Sequence, residues 1–278
     1  MEIVRLMNRE DRKVAVAVGR ELAAIARAVD AIVGAIRKGG RLIYVGAGTS
    51  GRMGVLDAAE CPPTFGTSPK LVQALIAGGR RAITRAVEGA EDSERNGARD
   101  LRAVRLTGRD VVVGIAASGT TPYVVGALKY AKKKGAMTVA VTSNLRMPVG
   151  RLAKTVIAPE VGPEVLTGST RLKAGTSQKM VLNMLSMSAM ARLGHVYENL
   201  MIDMMLTNEK LAERALRILA EASGKSVSAA EHALRAAGHD LRVALVMLKM
   251  GIGAVEARRR LKPASGDLRR ALGNKKEY

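Results

Sequence analysis

Between residues 10 and 38, apolar side chains recur on one helical face: Val14, Val16, Val18, Leu22, Ile25, Val29, Ile32, Val33 and Ile36. That spacing predicts one long amphipathic helix, stopped by Gly39-Gly40. The pattern then changes to short apolar runs. RLIYV (41–45), LVQALIA (71–77), DVVVGIAA (110–117), AMTVAVTS (136–143) and TVIAPE (155–160) each fit a buried strand. DVVVGIAA is apolar nearly throughout, as a central parallel strand is. Helical spacing lies between the runs, near 50–59, 79–88, 92–104 and 121–134, and Cys61-Pro-Pro is expected to break the first of these helices. Strand, loop and helix in repeated order predict an α/β fold, a doubly wound sheet of five parallel strands. From Ser169 onward the chain reads as helical. Two long helices are expected over 169–193 and 195–222, and three short ones over 226–237, 240–250 and 252–261. The organisation expected is an N-terminal helical segment (1–38), a main domain (39–222) and a small C-terminal helical domain (223–278).

Met180, Met184, Met187, Met190, Met201, Met204 and Met205 fall in the two long helical stretches. They suit core or subunit-interface filling better than a dedicated partner surface.

Composition narrows the class. The chain has 278 residues and 47% hydrophobic residues, enough to bury a substantial core. A single cysteine, Cys61, excludes an intrachain disulfide framework. The three histidines are scattered and form no zinc spacing with it, so no metal site is expected. No apolar run approaches the ~18–20 residues that span a bilayer. MEIVRLMNREDRK is too charged to open a secretory signal. The expectation is a protein of a reducing compartment, without membrane contact. The net charge of +20 raises the question of nucleic acid. Residues 1–204 carry +13 of it and residues 205–278 carry +7, so no basic arm stands out. Aromatic residues are 2%, too few for base-stacking platforms. No specific nucleic-acid partner is expected.

Candidate chemistry lies in three hydroxyl-rich loops. GAGTSG (46–51) matches G-x-G-x-x-G between a strand and a helix. A dinucleotide site would also need an acidic residue about 20 positions on, to hold the ribose hydroxyls. Residues 61–80 contain neither Asp nor Glu. Thr49 and Ser50 at a helix start suit a compact phosphate instead. Ser118-Gly119-Thr120-Thr121-Pro122 repeats that arrangement after the central strand. Thr167-Gly168-Ser169-Thr170 opens the long helix, followed by Arg171 and Lys173. One such loop is most often a helix cap. Three of them converge on a small phosphorylated ligand at the switch point of the sheet.

The first two loops resemble those of the sugar isomerase (SIS) domain, which binds phosphosugars. Four stretches are similar to the N-acetylmuramic acid 6-phosphate etherase family: GRLIYVGAGTSGRMGVLDAAECPPTFG (40–66), AVEGAEDS (86–93), DVVVGIAASGTTPYVVGALKYA (110–131) and VGPEVLTGSTRLKAGTSQKMVLNMLS (161–186). The likeness covers nearly the whole chain and makes residues 39–222 the SIS domain. It implies a cytoplasmic homodimer in cell-wall sugar recycling that uses no metal or organic cofactor. The reaction implied converts N-acetylmuramic acid 6-phosphate and water to N-acetylglucosamine 6-phosphate and D-lactate. Lactate is eliminated from C3 of the open-chain sugar, and water then adds to the unsaturated aldehyde.

The resemblance places the family's acid/base glutamates on Glu60, in AECPP, and Glu91, in VEGAED. The C2 proton beside an aldehyde is acidic enough for a carboxylate to remove. The C3 ether oxygen leaves only when protonated. Two carboxyls with separated pKa values suffice. Glu60 is expected to serve elimination, and its uncharged neighbours Ala58, Ala59 and Cys61 favour a raised pKa. Glu91 is expected to activate water; the plain alternative is that Glu91 or Glu88 favours a helix start near 92. Thr49, Ser50, Ser118, Thr120 and Thr121 become phosphate candidates by analogy with SIS domains. Glu164, Ser169, Thr170 and Lys173 resemble the segment that completes the sugar site. Lys173 offsets substrate charge or is an exposed helix lysine. Cys61 is read as a packing residue. Relatives carry a TEQRN-like motif before the first long helix, absent from MEIVRLMN; if that motif covers the sugar site, activity is reduced. A phosphosugar sensor or an aldose–ketose isomerase is the competing reading, and the Glu60 and Glu91 blocks favour the etherase.

Overall fold

The computed structural model describes residues 1–206, 209–264 and 267–273. Its elements run in the order α1 (Glu2–Gly19), α2 (Leu22–Arg37), β1 (Leu42–Gly46), α3 (Gly48–Phe65), β2 (Val72–Ile76), α4 (Arg81–Thr84), α5 (Glu94–Ala103), β3 (Val111–Ile115), α6 (Pro122–Lys133), β4 (Met137–Val141), α7 (Pro148–Leu152), β5 (Thr155–Ile157), α8 (Lys173–Arg192), α9 (Glu209–Ser223), α10 (Val227–Ala236), α11 (Leu241–Met250), α12 (Ala254–Leu261) and α13 (Leu268–Ala271). They form two units. One comprises residues 1–59 and 68–189, the other residues 60–67 and 190–278.

The first unit holds a five-stranded parallel sheet in the order β2-β1-β3-β4-β5. This is the doubly wound α/β class expected from the sequence. The strand order reverses between β1 and β3, which opens a crevice at their carboxyl ends. Alternate strand residues feed two cores. Ile43, Val45, Val112 and Ala140 pack with Leu101, Tyr123, Val124 and Leu128 of α5 and α6. Those two helices touch through glycine. A Cβ on Gly97 would lie 2.0 Å from the Tyr123 carbonyl oxygen, and one on Gly126 would lie 2.0 Å from the Glu94 carbonyl oxygen. On the opposite face, Gly54 of α3 sits against Tyr44 and Ile115. The Tyr44 hydroxyl donates to Asp57 of α3 at 2.8 Å, and Asn183 and Ser186 of α8 donate to the same carboxylate at 2.7 and 3.0 Å.

Some expected elements differ. The helix expected near 79–88 is confined to the four residues of α4. The helix expected over 10–38 is two helices, parted at Arg20 and Glu21. There the Glu21 carboxylate leaves the helical surface to accept the Ala158 N–H at 3.1 Å, anchoring the turn beside β5. Pro62 and Pro63 do not end α3. Each ring removes one N–H, but both fall in the last turns. Cys61 and Phe65 are buried there, and Gly66 (φ +61°) closes the helix by donating to the Pro62 carbonyl at 2.9 Å. The second unit has no helix over 195–206. Gly194 turns the chain out of α8 at φ +89°, and Tyr197 and Leu200 form a bridge. Asp203 binds His195 Nδ1 at 2.7 Å and Arg242 Nε at 2.8 Å, so polar pairing replaces the helical ladder.

The second unit is otherwise helical, around Leu219, Leu234, Leu241, Leu245, Leu261 and Leu268. Of the methionines, Met190 and Met204 are buried, while Met187 and Met205 are exposed. Among the described residues no helix is long and apolar enough to cross a membrane.

Candidate functional site

Both hydroxyl loops that follow β1 and β3 lie at the switch point. After β1 the chain turns directly into α3. The Gly51 N–H donates to the Ala47 carbonyl at 3.0 Å, and a Cβ on Gly46 would lie 2.7 Å from the Gly51 nitrogen. Glycine is therefore required to bring strand and helix this close. The first-turn N–H groups of α3 lack intrahelical acceptors and carry the positive end of the helix dipole. Thr49 is half-buried there and Ser50 is buried. The start of α8 meets the same corner: a Cβ on Gly175 would lie 3.3 Å from Thr49 Cγ2. The N-terminus of α3 and two hydroxyls at one corner suit a compact anion.

The second loop differs in its donors. Ser118 and Thr120 hydroxyls bond each other at 3.0 Å across Gly119, whose φ is +74°. No side chain caps α6 at Thr121, and Pro122 opens the helix. The Tyr123 N–H donates to the Glu91 carbonyl at 2.9 Å, and the Val124 and Val125 N–H groups donate to the Thr121 carbonyl. These first-turn donors are spent. Hydroxyls, rather than a helix terminus, are what this loop offers a ligand.

Glu91 lies beside the first loop. It lines a cavity of about 180 Å³ with Ala47, Gly48, Arg52, Arg85 and Glu88. Its carboxylate is exposed and does not cap α5; Ser93 does that by accepting the Asn96 N–H at 3.2 Å, with Glu94 in the first turn. The plain alternative of a helix-start acid therefore falls to Glu94. Glu60 is exposed on α3 and is not among the residues lining the Glu91 cavity. Its uncharged neighbours do not enclose it. Cys61 is 2% exposed, as a packing residue is.

The third cluster is organised differently from the sequence expectation. Glu164, rather than Ser169 or Thr170, caps α8, accepting the Lys173 and Ala174 N–H groups at 3.0 Å each. Ser169 is half-buried and Thr170 exposed in the preceding turn. Lys173 is 1% exposed, which removes the reading of it as a surface lysine. Its ammonium pairs with Glu10 of α1 at 2.8 Å. Hydrogen bonds from Lys13 and Lys173 pull the Glu10 carboxyl down to about 2. Glu164 and Lys173 line a cavity of about 640 Å³ with Glu10, Arg12, Val161 and Pro163. That cavity's lining does not include Glu91, Thr49 or Ser118.

Sequence reasoning missed three residues of this region. Arg52 donates to the Ala82, Ile83 and Arg85 carbonyls, and Glu10 partners Lys173. Asp57 is buried behind the first loop; burial pushes its carboxyl up, against hydrogen bonds from Asn183, Tyr44 and Ser186. Arg52 stands directly after GAGTSG, which is the one local signal that marked it.

The fold agrees with that of known proteins. The glucokinase regulatory protein N-terminal SIS domain model matches residues 24–132, and the SIS domain model matches residues 88–188. Phosphoheptose isomerases from Neisseria gonorrhoeae and Francisella tularensis superpose with TM-scores of 0.52 and 0.51. Each covers 68% of this chain and 97% of its own, at 15% and 12% identity, a likeness of fold. N-acetylmuramic acid 6-phosphate etherases from Geobacillus thermodenitrificans and Clostridium beijerinckii are far nearer in sequence. They are 55% and 53% identical over 98% of this chain and 92% and 90% of their own lengths. At that identity over almost its entire length, the chain belongs to the N-acetylmuramic acid 6-phosphate etherase family.

Proposed function

We propose that this protein cleaves the D-lactyl ether of N-acetylmuramic acid 6-phosphate, yielding N-acetylglucosamine 6-phosphate and D-lactate in cell-wall sugar recycling. The observation that carries the reading is Glu91, exposed in a cavity that also contains Gly48 at the start of α3. A carboxylate there adjoins the corner suited to the sugar phosphate. Thr49, Ser50, Ser118, Thr120 and Thr121 bind that phosphate. Glu60 removes the C2 proton and protonates the departing lactate oxygen. Glu91 activates the water that adds at C3. The C2 proton, the ether oxygen and the added water are the points that need acid/base help, and the two carboxyls serve all three.

The protein acts in the cytoplasm as a homodimer. α1 supports a second copy: Ile3, Val4, Leu6, Met7 and Val16 are exposed on it, while its buried residues are Val14, Ala17 and Val18. Light scattering on the eluting protein tests the dimer.

Proton NMR with N-acetylmuramic acid 6-phosphate in D2O tests the reaction. Free lactate with deuterium at C2 of the sugar product is expected. Ligand binding with neither signal would instead fit a phosphosugar sensor.

A further inference from the structure

Arg52 lies just past the first hydroxyl loop, within α3. Its Nε donates to the Ala82 and Ile83 carbonyls at 3.1 and 3.0 Å, and its Nη2 donates to the Arg85 carbonyl at 3.2 Å. These carbonyls end α4, a four-residue helix whose last C=O groups have no helical donors. A cation at that end also matches the helix dipole. From Arg85 the chain runs through Val87 and Gly89 to Glu91, whose carbonyl accepts the Tyr123 N–H at 2.9 Å. The segment carrying Glu91 is thus fastened at both ends. One fastening is Arg52, on the helix of the first hydroxyl loop. The other is Tyr123, on the helix of the second. Arg52 and Glu91 also line the same cavity.

We propose that Arg52 is a positioning residue for Glu91: through the Ala82, Ile83 and Arg85 carbonyls it holds the acid/base segment in register with the loop that takes the sugar phosphate. The proposal rests on the role given to Glu91 above. Arg52 is committed to main-chain carbonyls and acts on the reaction through Glu91's placement. A planar guanidinium can reach three carbonyls at once, whereas a lysine ammonium is a single point of donors.

The test is a double-mutant cycle with Arg52→Lys and Glu91→Gln. Arg52→Lys alone is expected to lower kcat on the order of a hundredfold, the loss that a misplacement of about 1 Å produces, with KM little changed. In the Glu91→Gln background the same change is expected to alter kcat by no more than about twofold. Equal losses in both backgrounds would overturn the proposal. So would a raised KM at unchanged kcat, which would make Arg52 a substrate ligand. Hydrogen exchange on the unmutated protein keeps the question open to test if Arg52→Lys does not fold. N-acetylglucosamine 6-phosphate should protect the amides of residues 82–91 together with those of 48–52, and protection confined to 48–52 would refute the coupling. Absence of lactate release by the unmutated enzyme would sink the reading of function while leaving this exchange experiment to judge the coupling.

Discussion

At the amino ends of β1 and β3, Asp110 accepts from the Arg41 main-chain N–H and from its guanidinium at 2.8 to 3.1 Å, and from the Thr107 N–H at 2.8 Å. The rest of that guanidinium covers the Val104 and Arg105 carbonyls. Near the carboxyl ends of the same two strands, Ser118, Thr120 and Glu91 are exposed instead, and the first-turn N–H groups of α3 lack intrahelical acceptors. One edge of the sheet closes its polar groups on each other, and the other leaves several of them exposed. Charge alone does not separate a structural cluster from a candidate site; what separates them is whether the partners are already inside the fold. The buried Lys173–Glu10 pair shows the same rule within the third cluster, where a residue expected to meet substrate already has a carboxylate.

Substitution at the two edges should therefore split activity from stability. The largest effect is expected from Glu60→Gln and Glu91→Gln, with kcat lowered by about 10²- to 10⁴-fold and the melting temperature unmoved. Lactate release and calorimetry on the same samples check both halves. Next, Asp110→Asn should cost about 2–3 kcal/mol of unfolding free energy, because it strands the half-buried Arg41 cation. Denaturant titration measures the loss, and turnover per folded molecule should stay constant. An Asp110→Asn protein that is stable but slow would erase the distinction between the edges. Thr49→Val and Ser118→Ala are smaller, each raising KM about tenfold through one lost hydrogen bond to phosphate. Equilibrium binding of N-acetylglucosamine 6-phosphate should weaken in parallel.

The smallest effect is a contrast in pH dependence between two buried carboxyls. Burial opposes ionisation of Asp110, but Arg41 and Thr107 outweigh it and hold the carboxyl below its ordinary value. Its stabilisation is present above the unfolded pKa of about 3.9 and fades as pH falls through the folded value. Burial holds Asp57 above its ordinary value. Its contribution is fullest below about pH 3.9 and fades as pH rises through the folded value. The deficit of Asp110→Asn relative to the unmutated protein should thus shrink on acidification, while that of Asp57→Asn grows. Melting temperatures recorded between pH 3 and pH 7 would show whether the two curves diverge; parallel curves would contradict the assignment.

Much of the fold was legible because strand and helix periods differ. The runs around Val45, Val113 and Val139 are apolar on both faces and bounded by turns, and each proved to be a strand. The two hydroxyl loops were legible because glycine and hydroxyl residues sit at strand ends. Period could not reveal the break at Glu21, since its cause is a hydrogen bond to Ala158, far away in sequence. The continuation of α3 past Pro62 was hidden for a related reason: the burial of Cys61 and Phe65 outweighs local proline chemistry. The sequence marked Glu164 and Lys173 as ligand residues. It could not show that one caps a helix and the other already has Glu10, because both facts depend on contacts that only the fold creates.

The contact between α5 and α6 has an evolutionary reading. Gly97 and Gly126 each leave no space for even one added carbon, because a main-chain oxygen already occupies it. A methyl group at Gly97 would push on the carbonyl of Tyr123, the residue whose N–H donates to the Glu91 carbonyl. In a saturation-mutagenesis survey scored by growth on N-acetylmuramic acid, these two sites should be as intolerant as the carboxylates themselves. Lineages that drift freely across the surface of α5 and α6 would then still inherit both glycines unchanged.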